Sequence, residues 1–394
     1  MPLRILHVSY IYPPTPRVAD GVTNVVYNIT RELAKMGHQV TVYTSNMLDL
    51  HSQDSLKAHN LVINGVNVHY SRTLWRHKTF MITPSIVPLL SRNLANFDVL
   101  HIHDSRSFQG ISAYQFAKIK NIPCVLQPHA SFLSASPDST SEKIARFLLD
   151  ELISERILEN ASKVIALSQA EAQEYRNVGV PKGKIEIVPN GIDVSDFDVL
   201  PLPGSLRRRF GIPKDRKIIL YLGRIHKTKR IDLLIKAYAY LIKNIGCDDS
   251  MLIIAGPDDG YLAEARSLTN SLGVSDSVLF TGFLDSEEKV EALVDADLFV
   301  TPSFQGFPMT FLEACAVGTP IITTTLGDKL EWINGNVGYM TPPNTCDLAK
   351  AMHSIISDDK LRKEFSKKCK QLTRSQFSLK KIAHKLECIY RTLA

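Results

Sequence analysis

The sequence predicts an α/β fold built from two doubly wound domains. Short apolar strands alternate with amphipathic helices along the chain, and this β-α-β order is typical of parallel sheets. The alternation is interrupted between residues 193 and 213, where prolines and an RRR run replace the periodic pattern, so this segment is the expected linker. A chain of 394 residues also exceeds the size at which one core usually divides, so two domains of about 200 residues each are expected.

Composition excludes several classes of protein. Hydrophobic residues make up 44% and charged residues 22%, and no run approaches the roughly eighteen apolar residues of a membrane span. The beginning, MPLRILHVSYIYPP, lacks the features of a signal peptide. The six cysteines form no CxxC, which fits reduced thiols, and a net charge of +6 is too weak to indicate nucleic acid as a partner. We therefore expect a cytoplasmic protein.

The first domain is expected over residues 1–195. Strands are predicted at 5–8, 39–43, 66–70, 99–102, 124–127 and 164–166. A helix opens at Gly21 and stops at Gly37, because its apolar positions follow the 3.6-residue period between these two glycines. Further helices are predicted near 106–120 and 141–160.

The second domain is expected over residues 196–375. Strands are predicted at 217–222, 251–255, 278–281 and 298–301. Helices are predicted at 231–245, 260–272, 286–295, 309–317, 346–357 and 359–370. A basic amphipathic helix follows within residues 376–394, after this domain is complete, and we expect it to pack back on the first domain.

The stretch 301–320, TPSFQGFPMTFLEACAVGTP, predicts a loop and a helix after a strand. Pro308 suits the first helical position, and Gly318 closes the helix. Glu313 lies in an apolar run, too far from the helix start to cap it, so its carboxylate needs a partner. That partner is either a core Arg or Lys, or a ligand that Glu313 faces together with Gln305 at the carboxyl end of the strand.

The segment GRIHKTKR, residues 223–230, places several cationic groups at the end of one strand. Arg224 and Lys229 can hold a diphosphate beside a helix N-terminus, with Thr228 as the predicted N-cap. A solvated charged face is the alternative interpretation. Neither GxxxxGK[ST] nor a GxGxxG after a strand is present, which disfavours a P-loop protein or a dehydrogenase.

Weaker signals lie in the first half. Gly21 leads into a helix whose N–H groups and dipole suit an anion. His129 follows a strand in a loop, a place where a structural histidine is also common. His101 and His103 share one face of a strand at a spacing that zinc could use, but further ligands do not follow nearby, so we expect no zinc site.

Motifs along the chain carry a resemblance to a known family. In order they are a first helix ending in RELAKMGHQVTVYT, then DVLHIHD, QPHASF, VIALSQ, IVPNGID, YLGRIHKTKRID, LIIAGPDDG, VLFTGFL and SFQGFPMTFLEACAVGTPII. This order resembles glycosyltransferase family 4, retaining enzymes that use nucleotide sugars. The resemblance covers nearly the whole chain. It implies the GT-B architecture, in which two Rossmann-like domains face each other across a cleft, with the acceptor on the first and the donor on the second.

The resemblance also implies roles for individual residues. Arg224 and Lys229 match the basic pair that holds the donor diphosphate and stabilises the leaving group. Glu313 matches the second glutamate of an E-x7-E pattern and is expected to bind the ribose, and His129 matches a histidine beside the transferred sugar. Further donor-binding positions implied in the same way are Gly21, Gly223, Gly282, Phe283, Leu284, Gln305, Gly306, Phe307, Pro308, Met309 and Thr310.

Some positions depart from the family pattern. The first glutamate of E-x7-E is Gln305, which keeps length and an acceptor but loses the charge. The usual glycine pair is Asp20-Gly21, and the glycine that commonly follows the cleft lysine is Arg230. The resemblance implies no metal and no cofactor, since GT-B enzymes use basic side chains and helix dipoles instead, and Asp258-Asp259 is interpreted as a turn.

The acceptor and the exact activity stay open. In SRTLWRHKTF, residues 71–80, basic and aromatic residues together suit an anionic membrane interface, and a solvated loop is the alternative; the residues are Arg72, Trp75, Arg76, His77, Lys78 and Phe80. A lipid-linked saccharide at the cytosolic membrane face would then be the acceptor, with a soluble saccharide as the alternative. UDP with a glucose-type sugar is the preferred donor, with GDP-mannose open. A nucleotide-sugar epimerase and a catalytically weakened binding protein remain alternatives.

Overall fold

The computed structural model describes residues 1–12, 21–48, 54–77, 80–129, 154–327 and 329–394. They form two compact units, Met1–Gly191 with Leu379–Ala394, and Ile192–Ser378. These bounds lie a few residues from the expected bounds at 195/196 and 375/376. The predicted α/β fold with two doubly wound sheets is confirmed.

The strands are β1 Arg4–Val8, β2 Gln39–Ser45, β3 Asn60–Ile63, β4 Val66–Ser71, β5 Trp75–His77, β6 Phe80–Ile82, β7 Val99–His103, β8 Cys124–Gln127, β9 Lys163–Ala166, β10 Ile185–Ile187, β11 Lys217–Leu222, β12 Ser250–Ala255, β13 Val278–Gly282, β14 Leu298–Phe304, β15 Ile321–Gly327 and β16 Gly338–Thr341. The strands at the centre of each sheet are almost fully buried on both faces, which is why they appear in the sequence as short apolar runs.

The helices are α1 Gly21–Lys35, α2 Ile86–Asn93, α3 Phe108–Lys120, α4 Glu155–Asn160, α5 Gln169–Asn177, α6 Ser205–Phe210, α7 Ile231–Tyr240, α8 Leu262–Ser271, α9 Ser286–Asp295, α10 Met309–Val317, α11 Thr345–Ile356, α12 Asp359–Gln376 and α13 Leu379–Arg391. The predicted helix 141–160 coincides with α4 at its end, and residues 141–153 lie outside the described part. In the described part of the chain, no helix combines the length and apolar character needed to cross a membrane.

The first unit contains an eight-stranded sheet with the order β10-β9-β8-β7-β1-β2-β4-β3. Its pairs are parallel except for β3, which runs antiparallel to β4. The strand order reverses between β1 and β7, and His7, His101 and His103 lie on these two neighbouring strands. The structure places α13 in this unit, packed against α1.

The second unit contains a six-stranded parallel sheet with the order β13-β12-β11-β14-β15-β16. Its order is that of a Rossmann sheet, in which the first and fourth strands, here β11 and β14, are neighbours. Ligands of such sheets bind outside the carboxyl ends of the strands, where the order reverses. The segments that follow β11 and β14 are the basic loop and the loop that contains Gln305.

The expected linker between residues 193 and 213 is instead partly helical and packed on the second unit. It contains α6, and the Asp295 carboxylate accepts hydrogen bonds from the N–H groups of Gly204 and Arg207. Arg209 forms ion pairs with Glu288 and Glu291 of α9. A helix of fewer than two turns shows no apolar period. Two arginines of the RRR run, Arg207 and Arg209, form ion pairs within the second unit, so this part of the segment is not a free linker.

Candidate functional site

The basic loop after β11 is fixed by backbone hydrogen bonds to the loop after β12. The N–H of Gly223 donates to the carbonyl of Ala255 (3.0 Å), and that of Ile225 donates to Pro257 (2.9 Å). In return, the N–H of Asp259 donates to the carbonyl of Ile225 (3.1 Å), and the Ile225 side chain is buried. The side chains on either side of Ile225 therefore project from an anchored backbone.

A glycine contact joins this pair of loops to the end of β13. Gly256 has a φ of +147°, and a Cβ added there would lie 1.9 Å from the carbonyl oxygen of Gly223. The N–H of Gly256 donates to the carbonyl of Gly282 (2.8 Å). Only glycine permits this approach, which brings the ends of three adjacent strands into direct contact.

Arg224 and Lys229 differ in their partners. The Arg224 guanidinium donates to Asp259 (Nη1 to Oδ2, 2.6 Å), and both side chains are partly exposed. Lys229 is half-buried, and its ammonium has neither a hydrogen bond nor an ion pair with any described residue. Burial, and then the charge of Arg224, lower the pKa of Lys229. An anion bound beside these two groups would stabilise the charged lysine.

Thr228 does not cap a helix as expected. It lies in the 3-10 turn Lys227–Lys229, whose N-cap is His226, and the Nδ1 atom of His226 accepts from the Thr228 N–H (3.3 Å). Arg230 directly precedes α7 with a φ of +54°, in the left-handed region that favours glycine. Its guanidinium donates to Asp232 (3.0 Å). Arg230, at the position where the resemblance leads us to expect glycine, thus has the left-handed backbone conformation that glycine adopts most easily.

Asp258 forms a turn, as expected from the sequence. Its Oδ1 atom accepts from the N–H groups of Gly260 (2.9 Å), Tyr261 (3.2 Å) and Leu262 (3.1 Å) at the start of α8. Since Asp259 pairs with Arg224, both carboxylates have partners from the protein. This arrangement is that of a structural turn.

The strand β14 extends to Phe304, so residues expected in the following loop belong to the strand. Gln305 is exposed directly after it, and Gly306 has a φ of +67°. The 3-10 turn that contains Lys229 packs against β14. The basic loop and the Gln305 segment therefore lie next to each other at the point where the strand order reverses.

The helix α10 begins at Met309, so Pro308 is its N-cap residue rather than its first helical residue. Pro308 has a ψ of 126°, which is extended and not helical. Phe307 is buried and contacts the rings of Trp332 and Phe377, with centroid distances of 5.8 and 5.5 Å. Phe307 thereby anchors the entry to α10, while Met309 and Thr310 remain half-buried at its first turn.

Glu313 has one paired and one unpaired oxygen. Its Oε1 accepts from the Lys289 ammonium of α9 at 2.6 Å, and the exposed fractions of the two side chains are 15% and 30%. Its Oε2 is buried and accepts no hydrogen bond from any described residue. The expected lysine partner therefore exists, yet the second carboxylate oxygen lacks a donor among the described residues. Lys289 lies outside every motif that the sequence analysis singled out.

The end of β13 presents an aromatic side chain. Gly282 has a φ of +76°, Phe283 is 62% exposed and Leu284 is buried. The buried leucine fixes the segment while the phenylalanine ring faces solvent. An exposed aromatic face near the basic loop is suited to stacking on a planar ring.

In the first unit, Gly21 is the exposed first residue of α1, and an added Cβ there would meet nothing within 4 Å. Its neighbour Asp20 lies outside the described residues. His129 has a φ of +56°, and its Nε2 is 2.9 Å from Nδ1 of His103. Burial lowers the pKa of His129 to about 3, so the ring is neutral at neutral pH. His129 is therefore a neutral hydrogen-bonding group and not a cation.

Three buried histidines place nitrogen atoms within 4.8 Å of one another: His7, His101 and His103. The rings of His7 and His103 are stacked at 13°, and Nδ1 of His7 lies 2.9 Å from Nε2 of His103. Two nitrogens bound to one tetrahedral zinc ion at about 2.0 to 2.1 Å lie about 3.3 to 3.4 Å apart, farther than the 2.9 Å between these two nitrogens. The geometry suits hydrogen bonding between the rings better than zinc coordination.

The basic and aromatic segment forms a small hairpin in which β5 pairs with β6. Leu74 and Trp75 are 64% and 53% exposed, and the Trp75 ring stacks on His77 at 6.1 Å. Phe80 is half-buried, and Lys78 lies outside the described residues. The hairpin therefore presents two large apolar side chains to solvent.

Comparison with known proteins relates both units to one group of enzymes. The family model described as Glycosyl transferases group 1 matches residues 204–372, and the model described as Glycosyltransferase Family 4 matches residues 19–196. An uncharacterized glycosyltransferase of Methanocaldococcus jannaschii is 26% identical, with 99% of this chain and 98% of the relative aligned.

Solved structures share the fold along the whole chain. Sucrose-phosphate synthase from Thermosynechococcus elongatus is similar with a TM-score of 0.77 and 23% identity, covering 99% of each chain. Anabaena HepE in complex with UDP-glucose is similar with a TM-score of 0.75 and 18% identity, covering 99% of this chain and 100% of HepE. These likenesses confirm the GT-B fold with two Rossmann-like domains. With a family model on each domain, the chain belongs to the glycosyltransferases of group 1, family 4.

Proposed function

We propose that the protein is a retaining glycosyltransferase that moves a hexose from a nucleoside-diphosphate sugar to a saccharide or lipid-linked saccharide. The observation that carries this proposal is the set of unsatisfied groups at the carboxyl edge of the second sheet. Lys229 lacks an anion partner among the described residues, and Glu313 Oε2 lacks a hydrogen-bond donor there. A diphosphate meets the need of the lysine, and ribose hydroxyls meet that of the glutamate.

The donor in this proposal is a UDP sugar of the glucose type, with GDP-mannose as the alternative. The complex of HepE with UDP-glucose supports the first choice. Phe283 stacks on the base, beside Gly282 and Leu284. The amides at the start of α10 contact the sugar and phosphates, since helix N-termini favour anions. Arg224 and Lys229 supply the positive charge, so the proposed reaction needs no metal and no cofactor.

The proposed mechanism is substitution on one face of the sugar. The bond between the anomeric carbon and the β-phosphate oxygen breaks while the acceptor oxygen bonds to the same carbon from the same face. The acceptor proton passes to the departing phosphate oxygen, so no protein carboxylate is needed as a nucleophile. Arg224 and Lys229 stabilise the negative charge that develops on the leaving diphosphate. His129 contacts the transferred sugar.

A panel of nucleotide sugars tests this proposal. The purified protein is incubated with each donor and a mixed pool of sugar and lipid-linked acceptors, and released nucleoside diphosphate and new glycoside are measured. We expect both products from one donor class. A change in sugar configuration without nucleoside diphosphate would indicate the epimerase instead. Nucleotide binding without any product would indicate a binding protein.

Gln305 provides a prediction about donor choice. An amide both donates to and accepts from sugar hydroxyls, whereas a carboxylate only accepts. We therefore expect Gln305→Glu to change the preference among donors, or the rate, by a factor of about five or more, as a hydrogen bond of about 1 kcal/mol implies. The measurement is kcat/KM across the panel. Identical values for both proteins with every donor would remove Gln305 from the sugar site.

The hairpin provides a prediction about location. We propose that Leu74 and Trp75 insert at the interface of an anionic cytosolic membrane face, with Arg72 near the headgroups. Leu74→Ser with Trp75→Ser should then abolish co-sedimentation with vesicles of anionic phospholipid. The matched control is Val62→Ser, which replaces an exposed apolar residue on β3, outside the hairpin. This location would be refuted if the wild type sedimented equally with anionic and zwitterionic vesicles. It would also be refuted if the double variant and the Val62→Ser control sedimented equally with anionic vesicles.

A further inference from the structure

A row of hydrogen-bonded histidines runs through the interior of the first unit to His129. The Nδ1 atom of His7 lies 2.9 Å from Nε2 of His103, and Nδ1 of His103 lies 2.9 Å from Nε2 of His129. The rings of His103 and His129 are stacked at 5.2 Å. Adjacent rings are joined through ring nitrogens, so the nitrogen that carries the proton on one ring determines which nitrogen carries it on the next.

All three rings are neutral. Burial lowers the pKa of His7 and of His129 to about 3, and that of His103 well below its ordinary value. A neutral imidazole has one N–H donor and one acceptor nitrogen. With two hydrogen bonds to form and one proton on each ring, the row has two arrangements. In the outward arrangement every hydrogen bond is donated in the direction from His7 to His129, and in the inward arrangement every one is donated in the direction from His129 to His7.

In the outward arrangement, His7 donates from Nδ1 to His103, and His103 donates from Nδ1 to His129. The Nε2 of His129 then accepts, and its proton is on Nδ1. In the inward arrangement, His129 donates from Nε2, His103 donates from Nε2, and the Nε2 of His7 must carry a proton. The two arrangements therefore present opposite hydrogen-bonding character at Nδ1 of His129.

The inner end of the row distinguishes the two. The Nε2 atom of His7 is buried and has no hydrogen-bond partner among the described residues. The rings of His101 and Tyr390 lie beside it, at 5.0 and 6.4 Å from the His7 ring. His101 is itself hydrogen-bonded through Nδ1 to the Tyr390 hydroxyl at 2.6 Å. Buried N–H groups without an acceptor are rarer than buried acceptors without a donor, which disfavours the inward arrangement.

We propose that His7 and His103 are positioning residues that hold His129 in the tautomer with its proton on Nδ1, so that His129 acts toward its substrate as a hydrogen-bond donor. Nδ1 is the ring nitrogen of His129 that the row does not use, and we assign it to the ligand. The chemistry it selects is an oxygen acceptor, such as a hydroxyl oxygen of a sugar. That the ligand is a sugar rests on the proposed function, whereas the tautomer does not.

Nitrogen NMR of the full-length protein, with histidines labelled with 15N and 13C, tests the tautomer directly. The signals of His129 are identified by their loss in His129→Asn. We expect a neutral ring with the proton on Nδ1 at neutral pH. A proton on Nε2 of His129 would overturn the proposal, whatever the activity of the protein.

His103→Met tests whether the row causes the tautomer. Met cannot donate a hydrogen bond to Nε2 of His129, so the His129 ring should move toward the Nε2–H tautomer that free histidine side chains prefer. His103→Gln retains a group able to donate to His129 and should keep more of the Nδ1–H form. Melting temperatures identify a variant that fails to fold, in which case the wild-type spectrum still decides. An unchanged His129 tautomer in folded His103→Met would refute the role of the row.

Activity gives a second readout. Asn and Asp have the same size, and both tolerate the positive φ of residue 129. The Asn amide can donate near the place of Nδ1, and the Asp carboxylate cannot. We expect His129→Asn to retain kcat/KM within about tenfold of wild type, and His129→Asp to lose about a hundredfold or more. Equal losses would contradict the donor role, while absence of any turnover in wild type would contradict the proposed function and leave the NMR result standing.

Discussion

Lys229→Ala is expected to lower the rate of sugar transfer by about a hundredfold to a thousandfold while leaving the melting temperature unchanged or higher. Removing one preorganised group that faces a developing charge costs about 2.7 to 4 kcal/mol of barrier in enzymes. Stability should not fall, because the ammonium is half-buried without a partner among the described residues. Rate measured at saturating donor and a thermal melt check both parts.

Arg224→Ala is expected to lose a similar factor in rate. Its ion pair with Asp259 is partly exposed, and such pairs contribute about 0.2 to 1 kcal/mol, so folding should change little. Lys227→Ala is the matched control, since Lys227 lies in the same 3-10 turn with an exposed side chain. Lys227→Ala should retain nearly full rate. Comparable losses in all three variants would show a general effect of charge and not contact with the leaving group.

The fold was predictable where burial imposes a period on the sequence. The central strands β1, β7, β11 and β14 were found because both of their faces are buried, which leaves a short apolar run. Edge strands such as β3 alternate exposed and half-buried residues and were missed. A signal was present there, because Asn64-Gly65 between β3 and β4 is a typical hairpin turn, with φ values of +47° and +82°.

The candidate site was predictable only as separate pieces. The ends of the predicted strands indicate that Arg224, in the loop after one strand, and Glu313, in the helix after another, lie at the same edge of the sheet. Parallel strands bring their carboxyl ends to one edge. The partners of these side chains come from other loops and helices: Asp259 follows β12, and Lys289 lies on α9. Nothing in the local sequence around Lys289 separates it from a solvated lysine. Such pairings depend on tertiary packing, so sequence periods do not contain them.

The histidines show the same limit. The spacing of His101 and His103 indicated a shared strand face, which the structure contains, but neither His7 nor Tyr390 was associated with them. His7 joins the row because β1 and β7 are neighbours in register, with His7 opposite His101. Tyr390, which hydrogen-bonds His101, lies on the last helix of the chain. A row assembled from distant segments became visible only in three dimensions.

Glu313→Gln is expected to weaken binding of the nucleoside diphosphate by about tenfold. Hydrogen bonds to a charged group contribute about 1.5 to 3 kcal/mol, and those to a neutral group about 0.5 to 1.5 kcal/mol, so replacing the carboxylate by an amide should cost about 1 to 1.5 kcal/mol. The unpartnered Oε2 is the atom from which we expect this loss. Calorimetric titration with UDP, and with GDP, measures the affinity.

The Lys289 contact supplies the control that separates a ribose contact from a structural ion pair. If Glu313 serves only that pair, Glu313→Gln and Lys289→Met should each lower the melting temperature, the double variant should regain much of the loss, and affinity should be equal in all four proteins. If Oε2 binds ribose, affinity should fall with Glu313→Gln whether residue 289 is Lys or Met. The stability cycle then reports the Oε1 contact, and the affinity cycle reports the Oε2 contact. If each nucleotide, UDP or GDP, binds all four proteins with the same affinity, Glu313 serves folding alone. If affinity falls whenever residue 313 is Gln, whatever residue 289 is, the ribose binds at this carboxylate.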